Sequence, residues 1–367
     1  MKKVMIATGG TGGHIYPALA FAEILKKKYP DIEIVFYGSD NRMEKDIIPE
    51  KGYRFIGMHM SGMNGGLLAK ASSAVSLLRA QNACMKLLKE EKPDACIGFG
   101  NYISVPLILA AHRLHIVTMI HEQNSFAGKA NVMLGKYADA IVLSSNAPLK
   151  QFVKEKTRVY GNPEATIASE KELDTTLLKT YGIDDKKPFI LFMMGSLGSS
   201  SVSKVIDECL PQLNKNIQVL VVSGKSNDYI FKTKNDDRIH IVPYVDGLVA
   251  LSKTELAICR AGATTLSEIM ALGTPSVLIP SPYVPNNHQY HNAMELVDSN
   301  AAVLIEEKDL DAKTLSNTVN DLLNNKNKLE DLRKNAKKEE YNASAYQMIN
   351  WLEDLTKWKI YMKNYKQ

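Results

Sequence analysis

Through the first half of the chain, short apolar runs alternate with longer amphipathic stretches. KVMIA is followed by a helical pattern over 15–28, EIVFYG by one over 41–51, DACIGFG by one over 103–113 and IVTMIHE by one over 126–137, and AIVLSS closes the series. Nearly continuous apolar strands separated by helix-length segments predict βα units on a parallel sheet covered on both faces. The pattern pauses at Gly161, Asn162 and Pro163, and 164–187 is polar and charged. A second series opens with PFILFMMGSLGSSSVSKVIDECL and runs on through QVLVVSG, RIHIVPY, ELAICR and PSVLIP. The expected architecture is α/β, with two doubly wound Rossmann-like domains facing a cleft and ligand at the carboxyl ends of the strands. The first domain is placed at 1–163 and the second at 164–345, with a helix of about 346–367 returning to pack on the first.

Each series opens on a glycine-rich turn between a strand and a helix, TGGTGGH in the first and GSLGSS in the second. A helix N-terminus presents unpaired N–H groups and partial positive charge, and glycines let a phosphate approach the backbone. Neither turn is a dinucleotide fingerprint: after Gly10 and Gly12, Ile15 holds the place of the third glycine. SGKS at 223–226 ends like a P-loop, but Val219 stands where its opening glycine belongs. His14 follows Gly13 in the first helical turn, where a neutral imidazole could take a proton from a hydroxyl or simply pack. His121 in HEQN reads as structural, and neither it nor His288 has metal-ligand spacing with another His or Cys.

The stretch CRAGATTLSEIMALGTPSVLIPSP, 259–282, leads from a strand through a small-residue loop into a helix. Glu268 could accept two hydrogen bonds from a vicinal diol, with Thr264 and Thr265 on phosphate. Equally, Thr265 and Glu268 have the spacing of an N-capping box. Asp309-Leu310-Asp311 has the form of a metal-binding D-x-D, yet directly before a helical run it reads as an N-cap, which favours a metal-independent site.

With 367 residues and 45% hydrophobic content, the chain can bury two cores. The net charge of +5 is uneven: 21 Lys and Arg against 13 Asp and Glu up to Pro163, and an acidic excess beyond it. This asymmetry suggests an anionic partner for the first half. Two segments mix basic and apolar residues. In 67–92, Leu68, Val75 and Leu78 lie with Lys70, Arg79, Lys86 and Lys89, and the tail interleaves Lys357, Lys359, Lys363 and Lys366 with Trp358, Tyr361 and Tyr365. Both suit an anionic bilayer surface. The scattered Cys84, Cys96, Cys209 and Cys259 read as buried thiols of a reducing compartment. The first apolar run is too short for a signal peptide and no apolar stretch is long enough to span a bilayer, so a soluble or peripheral cytoplasmic protein is expected.

In order and approximate spacing, TGGTGGHIYPALA, GFGNYISVP, HEQN, GNP, GSLGSS, RAGATTLSE and PNNHQYHNA resemble the MurG family of UDP-N-acetylglucosamine transferases, over about residues 4–305. The resemblance implies a glycosyltransferase fold of the GT-B type. It also implies inverting transfer of GlcNAc from UDP-GlcNAc to the MurNAc 4-hydroxyl of undecaprenyl-linked MurNAc-pentapeptide; no cofactor is expected and, from the reading of Asp309 and Asp311 as a helix cap, no metal. By motif, His14 would be the base, Thr11, Gly12 and Gly13 would line the donor diphosphate and sugar, Asn124 would touch the sugar, Ser196 the diphosphate and Val245 the uracil. Ala263, Thr264, Thr265, Leu266, Ser267 and Glu268 would bind phosphate and ribose, with Glu268 on the ribose hydroxyls, and Gln289 with Asn292 would select GlcNAc. The implied partners are the two substrates and an anionic membrane surface on the cytoplasmic face, with no nucleic acid. The chain departs from the family at Glu164 and Ala165, where an arginine is usual, at Asn101 and Val105, where glycines are, and at Met194. A UDP-GlcNAc 2-epimerase, or a nucleotide-sugar-binding protein without catalysis, is the competing reading.

Overall fold

The computed structural model describes residues 1–59, 67–195, 198–224 and 227–365, with backbone alone at 67–76, 363 and 364. The chain divides into two compact units, 1–167 with 340–367, and 168–339. The first holds strands β1 (Lys3–Ala7), β2 (Glu33–Ser39), β3 (Arg54–Met58), β4 (Ala95–Gly98), β5 (Val117–Glu122), β6 (Ala140–Leu143) and β7 (Thr157–Val159). They form one parallel sheet in the order β3-β2-β1-β4-β5-β6-β7, so the winding reverses between β1 and β4. The central strands β1, β4 and β5 are buried along their length except at Lys3. The half-exposed edge strands β3 and β7 do not stand out in the hydrophobic pattern.

Helices cover both faces. On one, Ile15, Phe21 and Leu25 of the helix Gly12–Lys28 pack with Met348, Ile349 and Leu352 of the C-terminal helix Ser344–Tyr365. On the other, Leu107, Ile108 and Ala111 of the helix Ser104–Arg113 pack with Cys84 and Leu88 of the helix Leu67–Glu91. The C-terminal helix is tied down by Lys28–Glu353 at 2.8 Å and Lys359–Asp139 at 2.9 Å, and Arg158 lies over the Trp351 ring. The first unit runs to Ile167 rather than Pro163 because the helix Pro163–Glu170 starts on it: Ala165 is buried and Thr166 Oγ1 accepts the Ala345 N–H at 3.0 Å. The chain rejoins it from Glu340, where Tyr341 packs so closely on Gly161 (φ +88°) that a Cβ there would come within 2.8 Å.

The second unit holds β8 (Phe189–Met193), β9 (Gln218–Val222), β10 (Ile239–Val242), β11 (Leu256–Cys259), β12 (Ser276–Leu278) and β13 (Val303–Leu304), parallel in the order β10-β9-β8-β11-β12-β13. Its winding reverses between β8 and β11. All four cysteines are free and buried, and burial pushes the thiols of Cys84, Cys209 and Cys259 up to about 12. No helix among the described residues is long and apolar enough to cross a membrane.

Candidate active site

In open α/β sheets ligands collect beyond the carboxyl ends of the strands where the winding reverses. At that point of the first unit, β1 runs into Gly9-Gly10-Thr11 and the helix Gly12–Lys28. Thr11 is its N-cap but gives no side-chain cap; the His14 N–H donates to Thr11 O at 3.1 Å, which leaves those of Gly12 and Gly13 to meet an anion. The glycines are needed because neighbouring side chains fill the space a Cβ would take. At Gly9 (φ +151°) it would lie 2.2 Å from Glu44 Oε1, and at Gly10 (φ +86°) 2.2 Å from Asn101 Nδ2. Glu44 is fully buried, and its carboxylate accepts the N–H groups of Gly10 at 2.9 Å and Ser39 at 3.0 Å. Asn101 sits in the left-handed region (φ +65°), which asparagine tolerates better than other residues with a side chain, and donates to Gly9 O at 3.2 Å. The departure from glycine at 101 thus becomes a tie between the loops after β1 and β4.

His14 is in the first turn, with its backbone carbonyl accepting from Thr8 Oγ1 at 2.8 Å. Its Nδ1 lies 3.3 Å from Oε1 of Gln123, in the loop after β5. The positive-φ Gly100, in the loop after β4, leaves room for this pair: a Cβ there would be 3.0 Å from His14 Nδ1. In the same HEQN stretch, Glu122 is buried and accepts from Asn124 N at 3.1 Å, Asn124 Nδ2 at 3.3 Å, Gly128 N at 3.0 Å and Asn131 Nδ2 at 2.8 Å. This network sets the position of Asn124. His121 is structural: fully buried, with Nε2–H donating to Gly161 O at 3.0 Å, and burial lowers its pKa to about 4.

At the reversal in the second unit, the turn after β8 leads to the helix Ser200–Cys209 and the loop after β11 to the helix Ala263–Leu272. Ser196 lies outside the described residues, as does Lys225 of SGKS. Around Gly195 (φ +87°) and Gly262 no described atom lies within 4 Å of an added Cβ, although Gly198 is packed against Ser223 O. Gly262, not Thr265, is the N-cap of the helix Ala263–Leu272, without a side-chain cap. The capping box expected of Thr265 and Glu268 is therefore not formed, because the helix starts three residues earlier. Thr264, in the first turn, has a buried Oγ1 with no hydrogen-bond partner among the described residues. Arg260, at the end of β11, is buried; it donates to Glu307 at 2.8 Å, Ile279 O at 3.1 Å and Ser199 Oγ at 3.0 Å. It ties the loop after β11 to the N-cap of the helix after β8.

The other predicted residues separate into groups. Ala263, Thr265 and half-buried Glu268 share the open helix end with Thr264. Leu266 belongs to the core, and Ser267 spends its hydroxyl on Ala263 O and Thr264 O of its own helix. Val245 has a buried side chain, so what it can offer a base is its backbone. Gln289 accepts Ser281 N–H at 2.8 Å through Oε1, which leaves its Nε2 donors to meet a ligand. Asn292 is buried and donates to Ala261 O at 3.2 Å, propping the loop after β11 rather than facing outward. Asp311 caps its helix by accepting Thr314 N–H at 2.7 Å. Glu122 and Gln123 lie inside HEQN and Arg260 opens RAGATTLSE, but neither motif singles them out, and Glu44 lies in no motif.

Residues 4–143 match the glycosyltransferase family 28 N-terminal domain and residues 189–348 its C-terminal domain, which together take in both turns and every strand but β7. The class is thus a two-domain α/β glycosyltransferase. Among similar proteins, the UDP-N-acetylglucosamine–N-acetylmuramyl-(pentapeptide) pyrophosphoryl-undecaprenol N-acetylglucosamine transferase of Leuconostoc mesenteroides is 39% identical over 91% of this chain and 94% of its own. The enzyme of the same name from Pediococcus pentosaceus is 36% identical over 97% and 100%. The chain belongs to this family, the MurG family. The crystal structure of Acinetobacter baumannii MurG is similar, with a TM-score of 0.75 and 25% identity over 96% of this chain and 100% of that one. A UDP-GlcNAc 2-epimerase from Neisseria meningitidis, at 14% identity and a TM-score of 0.67, shares the fold alone.

Proposed function

We propose that this protein transfers GlcNAc from UDP-GlcNAc to the MurNAc 4-hydroxyl of undecaprenyl-linked MurNAc-pentapeptide, with inversion at the anomeric carbon. The observation that carries the mechanism is the convergence at β1, β4 and β5 of an uncapped helix N-terminus and an imidazole oriented by a neighbouring amide. His14 takes the proton of the attacking hydroxyl as its oxygen bonds to the anomeric carbon, and the electron pair of the breaking C–O bond leaves with UDP. Negative charge grows on the diphosphate, where uncapped helix ends hold it more strongly in the transition state than in the ground state. Thr264, Thr265 and Glu268 serve phosphate and ribose, Gln289 the sugar, and Thr11, Gly12, Gly13 and Asn124 the sugar and the acceptor side. Asp311 is occupied in capping, so the helix ends rather than a D-x-D-held cation are assigned the diphosphate. The epimerase reading asks for further acid–base groups around the sugar beside His14, which this reading does not need.

The lipid acceptor calls for a peripheral seat on the anionic cytoplasmic leaflet. Leu78 is 55% exposed beside exposed Arg79, and Trp358, Tyr361 and Tyr365 are exposed on the C-terminal helix, which supports contact through the first unit. The side chains of Leu68, Lys70, Val75 and Lys363, and Lys366 as a whole, lie outside the described residues.

One experiment tests the reading: UDP release with UDP-GlcNAc and lipid-linked MurNAc-pentapeptide in vesicles containing phosphatidylglycerol. Release should require the acceptor, weaken with salt, and fall about 10²–10⁴-fold in His14→Ala with donor binding little changed. Acceptor-independent release, or normal turnover of a folded His14→Ala protein, would refute it.

A further inference from the structure

Gln123 stands behind His14, and its orientation is not free. Its side-chain amide is almost wholly buried, and Nε2–H donates to Phe99 O at 3.1 Å. A backbone carbonyl only accepts, so the amide cannot turn over without placing oxygen against oxygen. Oε1 is therefore held toward His14 Nδ1, 3.3 Å away, the long end of a hydrogen bond and usual for a site without substrate. Gly100 closes over the pair with its backbone, since any Cβ would sit 3.0 Å from Nδ1 and 3.3 Å from Oε1.

An oxygen that only accepts demands a donor. We infer that Gln123 is a positioning residue which holds His14 as its Nδ1–H tautomer, so that the lone pair resides on Nε2, the nitrogen that receives the acceptor hydroxyl's proton. The inference rests on the reading of His14 as the base. When the hydroxyl oxygen bonds to the anomeric carbon, its proton passes to Nε2, and Nδ1–H stays on Oε1 throughout. The imidazolium then returns the proton to water. A neutral amide fixes the tautomer without raising the basicity of the ring as a carboxylate would, which suits a base that must be unprotonated at neutral pH. The sequence places Gln123 one residue from Asn124 in HEQN, and nothing in that motif separates their tasks.

The test reads the tautomer directly. In the whole protein labelled with ¹⁵N-histidine, the His14 resonances, assigned by their loss in His14→Ala, should show a protonated Nδ1 and an unprotonated Nε2 at pH 8. Gln123→Met, which keeps length and loses the acceptor, should shift His14 toward the Nε2–H form and lower kcat about 10–100-fold, while the KM for UDP-GlcNAc stays within a few-fold. An Nε2–H tautomer in the unaltered protein would overturn the inference without any variant, so a poorly folded Gln123→Met protein leaves it open to refutation. A folded Gln123→Met protein with unchanged tautomer and turnover would overturn it too. Normal turnover in His14→Ala would instead remove the base reading, and the tautomer measurement would still decide what Gln123 does to the ring.

Discussion

The two reversal points begin from the same sequence device, glycines between a parallel strand and a helix, and use it in opposite ways. After β1 the glycines are crowded: at Gly9 and Gly10 the volume of a side chain is taken by Glu44 and Asn101. After β8 and β11, Gly198 is packed against Ser223 O, but Gly195 and Gly262 face space with no described atom in it, and rigidity comes through Arg260, Glu307 and Ser199. A crowded turn fixes a side chain, here His14, as the proposed proton transfer to it requires. An open turn exposes backbone N–H groups and leaves room for a bulky anion. Glycine content alone does not separate these roles; what fills the missing Cβ does.

The largest effect should come from removing what crowds the first turn. Glu44→Ala leaves the N–H groups of Gly10 and Ser39 buried without their acceptor and empties a carboxylate-sized space. Two charge-assisted hydrogen bonds and the desolvated donors together put the loss at about 3–5 kcal/mol, read from urea unfolding. A loss under about 1 kcal/mol would mean that the turn is held by something else and that the contrast is misdrawn.

A somewhat smaller effect should distinguish the units by pH. His121 has a folded pKa of about 4 against an ordinary 6.5, caused first by burial. Below about 6.5 the unfolded chain takes up a proton that the folded protein refuses, so stability falls as pH drops toward about 4, by up to roughly 3 kcal/mol, and this contribution does not change above that window. Hydrogen exchange between pH 7.5 and 4.5 should therefore show the amides of β4, β5 and β6 losing protection before those of β8 and β11. Equal loss in both units would assign the acid sensitivity elsewhere.

How far the sequence reveals all this depends on whether a feature is local. Central strands are buried on both faces and show as largely apolar runs, so β1, β4, β5, β8, β9 and β11 are evident from the pattern, although His121 and Glu122 end β5. Edge strands such as β3 and β13 are short and half covered, and their pattern resembles loop. His14 and the segment from Ala263 to Glu268 were visible because a helix start follows a glycine turn within a few residues. Glu44 and Gln123 were not, since each meets its partner only after the chain has passed through other strands: 34 residues separate Glu44 from Gly10, and 109 separate Gln123 from His14. The capping box at Thr265 misled for the complementary reason, that local spacing fits two helix starts and the open loop at Gly262 selects the earlier one.

The finest test of the contrast is a single methyl group placed at each turn. Gly262 has φ −71° and ψ 141°, a conformation alanine adopts without strain, and nothing described lies within 4 Å of the new Cβ. The weaker N-cap preference of alanine and the entropy it removes from the unfolded chain are each well under about 1 kcal/mol and opposite in sign, so the unfolding midpoint of Gly262→Ala should hardly move. The methyl would project into the space that the donor's phosphate needs, and the KM for UDP-GlcNAc should rise about 10-fold, a cost of about 1.4 kcal/mol in binding, with kcat less affected. Gly10→Ala should do the reverse. Its φ of +86° strains alanine and its Cβ collides with Asn101, so it loses stability first and activity as a consequence. If Gly262→Ala destabilises the fold as Gly10→Ala does while binding donor normally, the second turn is a packed turn like the first, and the assignment of its open space to the nucleotide sugar fails.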